Sequence, residues 1–367
     1  MMNNNLYNMV SILAAIFNGA RTIKSSIDSV LAQNYTNFEL IIIDDCSTDD
    51  TQNIIYSYND KRIRYYRNIS NIGQTKSLNI ALSKACGGLI ARIDADDLWI
   101  SNKLSKQIEY LESNKNISIV GTFAYKINFE NEIIGIAKYP LNNNDIKFTS
   151  ILNSPLCHVS VLMKREAIIA AGGYPEVYKY AADFALWSTL LYMGYNVSNI
   201  PECLTLYRED DTTYGAQQKI GIAGDETAKI IITNVKILTG MDITFEEAKS
   251  LSLIFFPLAN YSRSILSNTY RKLAIISRII YGKEHLHSIK SVVSIISWAL
   301  LLRWSNKKAS NYLTIFEDII FLSCSLFLFP SILCSLAIAI FLKLLGIKLV
   351  RKLRIHIYSL IKFFKVR

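Results

Sequence analysis

The 367-residue sequence lacks any Cys-x-x-Cys pair, and none of its six cysteines, at 46, 86, 157, 203, 324 and 334, has a histidine at a zinc-site spacing. That excludes a structural zinc centre and a disulfide framework, so the thiols are expected to be reduced. A charged, apolar leader is missing too: Met1 to Asn8 is polar and runs straight into a strand-like segment. No secretory signal is expected, and the catalytic part should stay cytoplasmic. Internal repeats and low-complexity linkers are also missing. Acidic residues become scarce beyond Tyr214: Met1 to Tyr214 carries 19 Lys and Arg against 22 Asp and Glu, a net −3, whereas Gly215 to Arg367 carries 21 against 8, a net +13. The basic residues of the second part lie between apolar runs, which points to an anionic membrane face and away from nucleic acid. At this length a catalytic domain with an appended region is the first expectation.

The first part alternates strand and helix signals. Met9 to Phe17 is a continuous apolar run closed by the turn pair Asn18-Gly19, and Ile23, Ile27, Val30 and Leu31 then mark one face of a helix. Phe38 to Ile43 reads as a second buried strand, after which Ser47 can cap a helix carrying Ile54, Ile55 and Tyr58. Leu78, Ala81, Leu82 and Ala85 form a third helical stripe closed by Gly87-Gly88, and Leu89 to Ile93 is the next strand. Such alternation predicts a mostly parallel sheet covered by helices on both faces.

Ligands of such sheets bind beyond the carboxyl ends of the strands. Those ends carry Asn18, Asp44-Asp45 and Asp94-Ala95-Asp96-Asp97. Carboxylates gathered there suit a cation and ribose or base groups, but they repel a bare polyphosphate, a conflict that a divalent metal resolves.

Short strands are expected over 117–137, a helix near Asp145 to Leu152 and a strand from His158 to Met163. Lys164 to Ala171 and Asp183 to Met193 read as helices ended by Gly172-Gly173 and Gly194, which places Asp183 at a helix start. Three regions follow: 1–214 catalytic, 215–318 helical, and 319–367 membrane-associated. Ile319 to Leu342 is uncharged over 24 residues, interrupted by Pro330, and 343–367 holds eight Lys and Arg without an acid. The run is long enough to cross a bilayer, and the basic tail suits an interfacial amphipathic helix. A single crossing would oppose the positive-inside tendency, so a re-entrant or peripheral anchor on the cytoplasmic membrane face is expected.

Taken in order, Met9 to Asn18, Ile41-Ile42-Ile43-Asp44-Asp45-Cys46-Ser47-Thr48-Asp49, Asn71-Ile72-Gly73, Ile93-Asp94-Ala95-Asp96-Asp97, Gly172-Gly173-Tyr174-Pro175-Glu176, Ala182-Asp183-Phe184-Ala185-Leu186-Trp187 and Tyr207-Arg208 resemble the family-2 glycosyltransferases of GT-A fold. The resemblance spans about residues 9–208. It implies inverting transfer of a sugar from a nucleotide sugar, UDP by preference, to an acceptor hydroxyl, with Mn2+ or Mg2+ as cofactor.

By the same resemblance the end of the first strand, Ala15 to Phe17, and Asp44 hold the base, with Asp45 beside them in the donor site. Asp94 meets the ribose, with Ala95 adjoining, and Asp96 the metal. Lys76 approaches the base or diphosphate, and Asp183 is the general base. Ala15 stands where relatives carry proline, so contact there uses backbone, and Ala182 replaces the usual glutamate before Asp183. Arg303-Trp304 lacks the glutamine of a processive synthase motif, so single-sugar transfer is expected. The acceptor is expected to be a glycan, lipid-linked and membrane-proximal, of a bacterial surface polysaccharide. Each residue admits a plainer reading: Asp44 and Asp45 as turn residues, Asp183 as a helix cap, Lys76 as a solvated helix residue. A nucleotidyltransferase of related fold and an inactive membrane adaptor are the alternative functions.

Overall fold

The computed structural model describes residues 8–208 and 214–252. Its centre is the pair β1 (Val10–Ile16) and β2 (Phe38–Asp44), in which every residue is buried. Side chains alternate along a strand, so Leu13, Ala15, Ile41 and Ile43 enter one core, and Val10, Ile12, Ala14, Ile16, Leu40 and Ile42 enter the other. Burial on both faces is why these strands read as unbroken apolar runs. Helix α1 (Ile23–Leu31) closes the second core with Ile23, Ile27 and Val30. After α2 (Thr51–Tyr56) and β3 (Ile63–Arg67), helix α3 (Gln74–Lys84) closes the first core with Leu78, Ala81 and Leu82. The N-cap position of α2 is Asp50, not the expected Ser47. The Ser47 hydroxyl instead accepts the Asn18 amide at 2.9 Å.

The chain continues through β4 (Leu89–Arg92), β5 (Leu98–Trp99), α4 (Lys103–Ser113), β6 (Ile117–Ile127), β7 (Ile133–Ala137), α5 (Asn143–Leu152), β8 (Leu162–Lys164), α6 (Arg165–Ala170), α7 (Ala182–Tyr192) and β9 (Asn196–Arg208), then α8 (Tyr214–Thr239) and α9 (Phe245–Ser252). The nine strands form one sheet in the order β3-β2-β1-β4-β8-β6-β9-β5, with β7 on β6. The pairs β2–β3, β1–β2, β1–β4 and β6–β9 are parallel; β4–β8, β6–β8, β5–β9 and β6–β7 are antiparallel. The expected mostly parallel sheet is therefore corrected to a mixed one. Apolar patterning carries burial but not direction, so the reversal at β8 was hidden. His158 does not lie in a strand as expected: residues His158–Ser160 make a 3-10 turn, and the strand begins at Leu162.

Packing continues past the expected boundary at 214, and the compact unit runs to Ser252. The buried Asn234 of α8 donates to the Ser150 carbonyl at 2.8 Å and to Ser188 Oγ at 3.0 Å, tying α8 to α5 and α7. No helix among the described residues is long and apolar enough to cross a membrane. The remainder of the expected helical region, and the whole 319–367 segment, lie outside the described residues.

One buried charge holds the end of the sheet where β1 begins. Glu39, 5% exposed, accepts Ser11 Oγ at 2.6 Å and the Cys86 amide at 2.7 Å and pairs with Arg64. Gly87 donates to Ser11 Oγ at 2.8 Å, and a Cβ on Gly87 would lie 2.4 Å from the Met9 carbonyl oxygen, so only glycine permits this crossing. Burial raises the Glu39 carboxyl, but the bonds from Ser11, the Cys86 amide and Arg64 outweigh it and hold it below its usual range. A depressed folded-state value means stability present above the unfolded value and lost as pH falls through the folded one. Glu39→Gln is expected to cost about 2 kcal/mol in urea unfolding at neutral pH. The gap from wild type should shrink below pH ~4; a pH-independent gap would contradict the network.

Candidate active site

The loops after β1, β2 and β4 converge at the carboxyl ends of these strands. Strand β4 pairs with β1 only as far as Leu13, so the backbone of Ala15 emerges past that pairing while its side chain packs in the core. Phe17 is half-exposed at the rim. Asn18 has φ 52° and accepts the Thr48 amide at 2.8 Å, which fastens this loop to the one after β2. At Gly19 a Cβ would lie 2.9 Å from Ile16 Cγ2 and 3.0 Å from Ala95 Cβ. The missing side chain lets the first loop close on Asp94-Ala95-Asp96.

The paired aspartates after β2 are turned inward. Asp44 is fully buried, accepting the Ser47 amide through Oδ1 and the Tyr65 hydroxyl through Oδ2, both at 2.7 Å. The residue that the resemblance places at the base thus also shapes the turn. Asp45 likewise accepts Asn68 Nδ2 at 2.8 Å, the Ile72 amide at 2.9 Å and the Gly73 amide at 2.8 Å. It clasps the Asn71-Ile72-Gly73 turn and so aims the start of α3. Lys76 is exposed in the first turn of that helix, and its neighbour Gln74 donates to Asp94 Oδ1 at 2.9 Å.

Asp94, Asp96 and Asp97 present carboxylate oxygens within 4.8 Å of one another. Asp97 is buried, with Oδ1 accepting the Arg208 amide at 2.8 Å and Oδ2 without a hydrogen bond among the described residues. Burial and then the neighbouring Asp94 raise the proton affinity of Asp96; burial, Asp94 and Asp96 push Asp97 well above its usual range. An orphaned buried oxygen within a crowd of anionic oxygens is a donor set that fits a hard divalent cation. Two arginines partly offset the charge. Arg92, 1% exposed, donates to Asp94 Oδ1 at 2.6 Å, and its Nε and Nη1 have no hydrogen bond among the described residues. Arg208 donates through Nε to the Asp96 carbonyl at 2.9 Å and through Nη2 to Asn131 Oδ1 at 2.7 Å. It thereby holds the β6–β7 turn against the carboxylates, with Phe129 stacked under Arg21, 4.1 Å from its ring centre.

Asp183 is the second residue of α7 and lies in its first turn, at the helix start expected for it, with Ala181 in the N-cap position. Burial raises the proton affinity of Asp183, while the Phe184 amide and the field of Arg92 lower it, and Asp94 is near enough to act on it as well. His158 Nε2 lies 3.3 Å from the Tyr174 hydroxyl, and burial followed by the field of Arg92 keeps the imidazole neutral. The charge of Arg92 is thus felt by Asp94, Asp183 and His158 alike. Sequence reasoning missed Arg92 and Gln74, and gave Asp97 no role of its own beside Asp96. The available signal was a basic residue inside an otherwise apolar strand, two positions before Asp94 and hence on the same face.

Four of the cysteines, 46, 86, 157 and 203, are free thiols. The model of the family described as Glycosyl transferase family 2 matches residues 11–170. An uncharacterized glycosyltransferase of Haemophilus influenzae is 32% identical over 306 residues, 76% of this chain and 91% of that one. The UDP-Glc:alpha-D-GlcNAc-diphosphoundecaprenol beta-1,3-glucosyltransferase WfaP of Escherichia coli is 33% identical over 203 residues, 54% of this chain and 77% of that one. In fold the chain is similar to S. aureus TarS 1–349 in complex with UDP-GlcNAc, with a TM-score of 0.54 at 14% identity over 83% of this chain and 93% of that one. The mixed sheet and flanking helices are accordingly GT-A-like, and the nucleotidyltransferase alternative is set aside. The chain belongs to glycosyltransferase family 2 and is a glycosyltransferase.

Proposed function

We propose that this chain transfers one sugar at a time, with inversion, from a UDP-sugar to a hydroxyl of a lipid-linked glycan at the cytoplasmic face of a membrane, in the assembly of a surface polysaccharide. The observation that carries the reading is the cluster of Asp94, Asp96 and Asp97 at the carboxyl end of β4, with the buried Arg92 bonded to Asp94. The named activity of WfaP on a diphosphoundecaprenol-linked acceptor supports the donor and acceptor class. The uncharged run 319–342 and the eight Lys and Arg of 343–367 support the membrane attachment.

In this reading Asp96 and Asp97 hold Mn2+ or Mg2+, and Asp94, steadied by Arg92 and Gln74, faces the ribose. The bound cation would supply Lewis-acid stabilisation of charge on the departing diphosphate. The backbone past Ala15 and the side chain of Phe17 border the base, and Lys76 lies on the helix that Asp45 aims. Asp183 accepts the proton of the acceptor hydroxyl as its oxygen bonds to the anomeric carbon. The bond from that carbon to the diphosphate oxygen breaks on the opposite side, and the nucleoside diphosphate leaves with the electron pair. The proton remains on Asp183.

Asp183 works only when ionised, and burial raises its proton affinity. Activity is therefore expected to fall as pH drops through a value above the ordinary aspartate range, giving an acid limb of kcat/KM above pH ~4. Asp183→Asn should lower kcat roughly 100-fold to 10,000-fold while leaving UDP affinity intact. A variant that kept its turnover would remove Asp183 from the mechanism. For the membrane part, the full chain should float with anionic liposomes and a chain truncated after Ser252 should not; equal flotation would overturn the attachment.

A further inference from the structure

We infer that Glu226 is a positioning residue for Asp183, an inference that rests on reading Asp183 as the base. Helix α7 begins without a side-chain cap of its own, at Ala181. Its cap comes from α8: Glu226 accepts the Lys179 amide through Oε1 at 2.8 Å, and the Tyr180 and Ala181 amides through Oε2 at 2.8 and 3.0 Å. Three consecutive amides thus point at one carboxylate 45 to 47 residues downstream, and Asp183 follows two residues after the last of them. A carboxylate at this end also complements the helix dipole.

The other side of the same segment is fastened to α3. Thr75 Oγ1 donates to the Tyr178 carbonyl at 3.1 Å, and Asn79 brackets Tyr174, accepting its amide at 2.8 Å and donating to its carbonyl at 2.9 Å. The chain leading into the base is therefore slung between α3, whose first residue contacts Asp94, and α8. Helix α8 keeps its place without Glu226, through Asn234 and through the buried Ile230, Ile231 and Val235. Removing the carboxylate leaves three amides without an acceptor and frees one side of the sling, while the rest of the unit stays packed. A small displacement of a proton acceptor is enough to lower turnover sharply.

The test uses the full chain carrying Glu226→Ala, Glu226→Gln or Glu226→Asp. Two readouts are taken: amide hydrogen exchange, and kinetics with the nucleotide sugar on which wild type turns over, judged by nucleoside diphosphate release. Exchange over 179–181 should rise about tenfold or more in Glu226→Ala, without change in β1 or β2. In the same variant kcat should fall about tenfold or more with the donor KM within about twofold, and Glu226→Asp should recover part of the loss. Glu226→Gln should fall between wild type and Glu226→Ala, because its carbonyl oxygen can still accept the Tyr180 and Ala181 amides while its amide nitrogen cannot accept that of Lys179. Unchanged exchange, unchanged kcat, or a parallel decline of kcat, donor affinity and melting temperature would overturn the inference. Asp183→Asn separates the two claims: if it remains active the base assignment fails, whereas an inactive Asp183→Asn beside an active Glu226→Ala defeats only the positioning role.

Discussion

Three carboxylates within 4.8 Å of one another at the end of β4 repel each other, and almost everything around them answers that repulsion. Arg92 is buried beneath and bonded to Asp94, Arg208 lays its backbone amide on Asp97, and Gln74 reaches Asp94 from the start of α3. Even so, Asp96 and Asp97 retain raised proton affinity, and one oxygen of Asp97 has no hydrogen bond among the described residues. The arrangement is electrostatically incomplete as protein alone. In the proposed reading a divalent cation carrying a nucleoside diphosphate would complete it: the cation would relieve the carboxylates, and the carboxylates would let an anionic donor approach a site that otherwise rejects it.

The rest of the unit positions this cluster. Strands β1 and β2, buried on both faces, give the crevice a rigid floor, and the aspartates at the end of β2 fix the loops that line it. Asp44 and Asp45 hold those loops, both buried with their oxygens engaged. Helix α7, which carries Asp183, is held by a helix beyond the region matched by the family model, at residues 214–239. A catalytic unit ending at Tyr214 would lose that support.

Much of this was legible in the sequence, for identifiable reasons. Two-sided burial leaves unbroken apolar runs, so β1, β2 and the helix between them could be read directly, and the acidic strand ends located the crevice. Strand direction leaves no such mark, and the reversal at β8 went unread. The inward turn of Asp45 depends on amides 27 and 28 residues away, and the cap on α7 depends on a glutamate 45 residues beyond its first turn. No local pattern encodes those meetings. Arg92 stood in plain view within Ala91-Arg92-Ile93-Asp94, yet its reach to Asp94, Asp183 and His158 follows only from the face of β4 on which it sits.

The most direct measurement is calorimetric titration of Mn2+ into the full chain in the presence of UDP, for wild type and for Asp96→Asn. The account predicts a single saturable site in wild type and its loss in Asp96→Asn, with the melting temperature of the metal-free variant unchanged or raised by relief of the carboxylate repulsion. Absence of a site in wild type, or equal binding by Asp96→Asn, would contradict it.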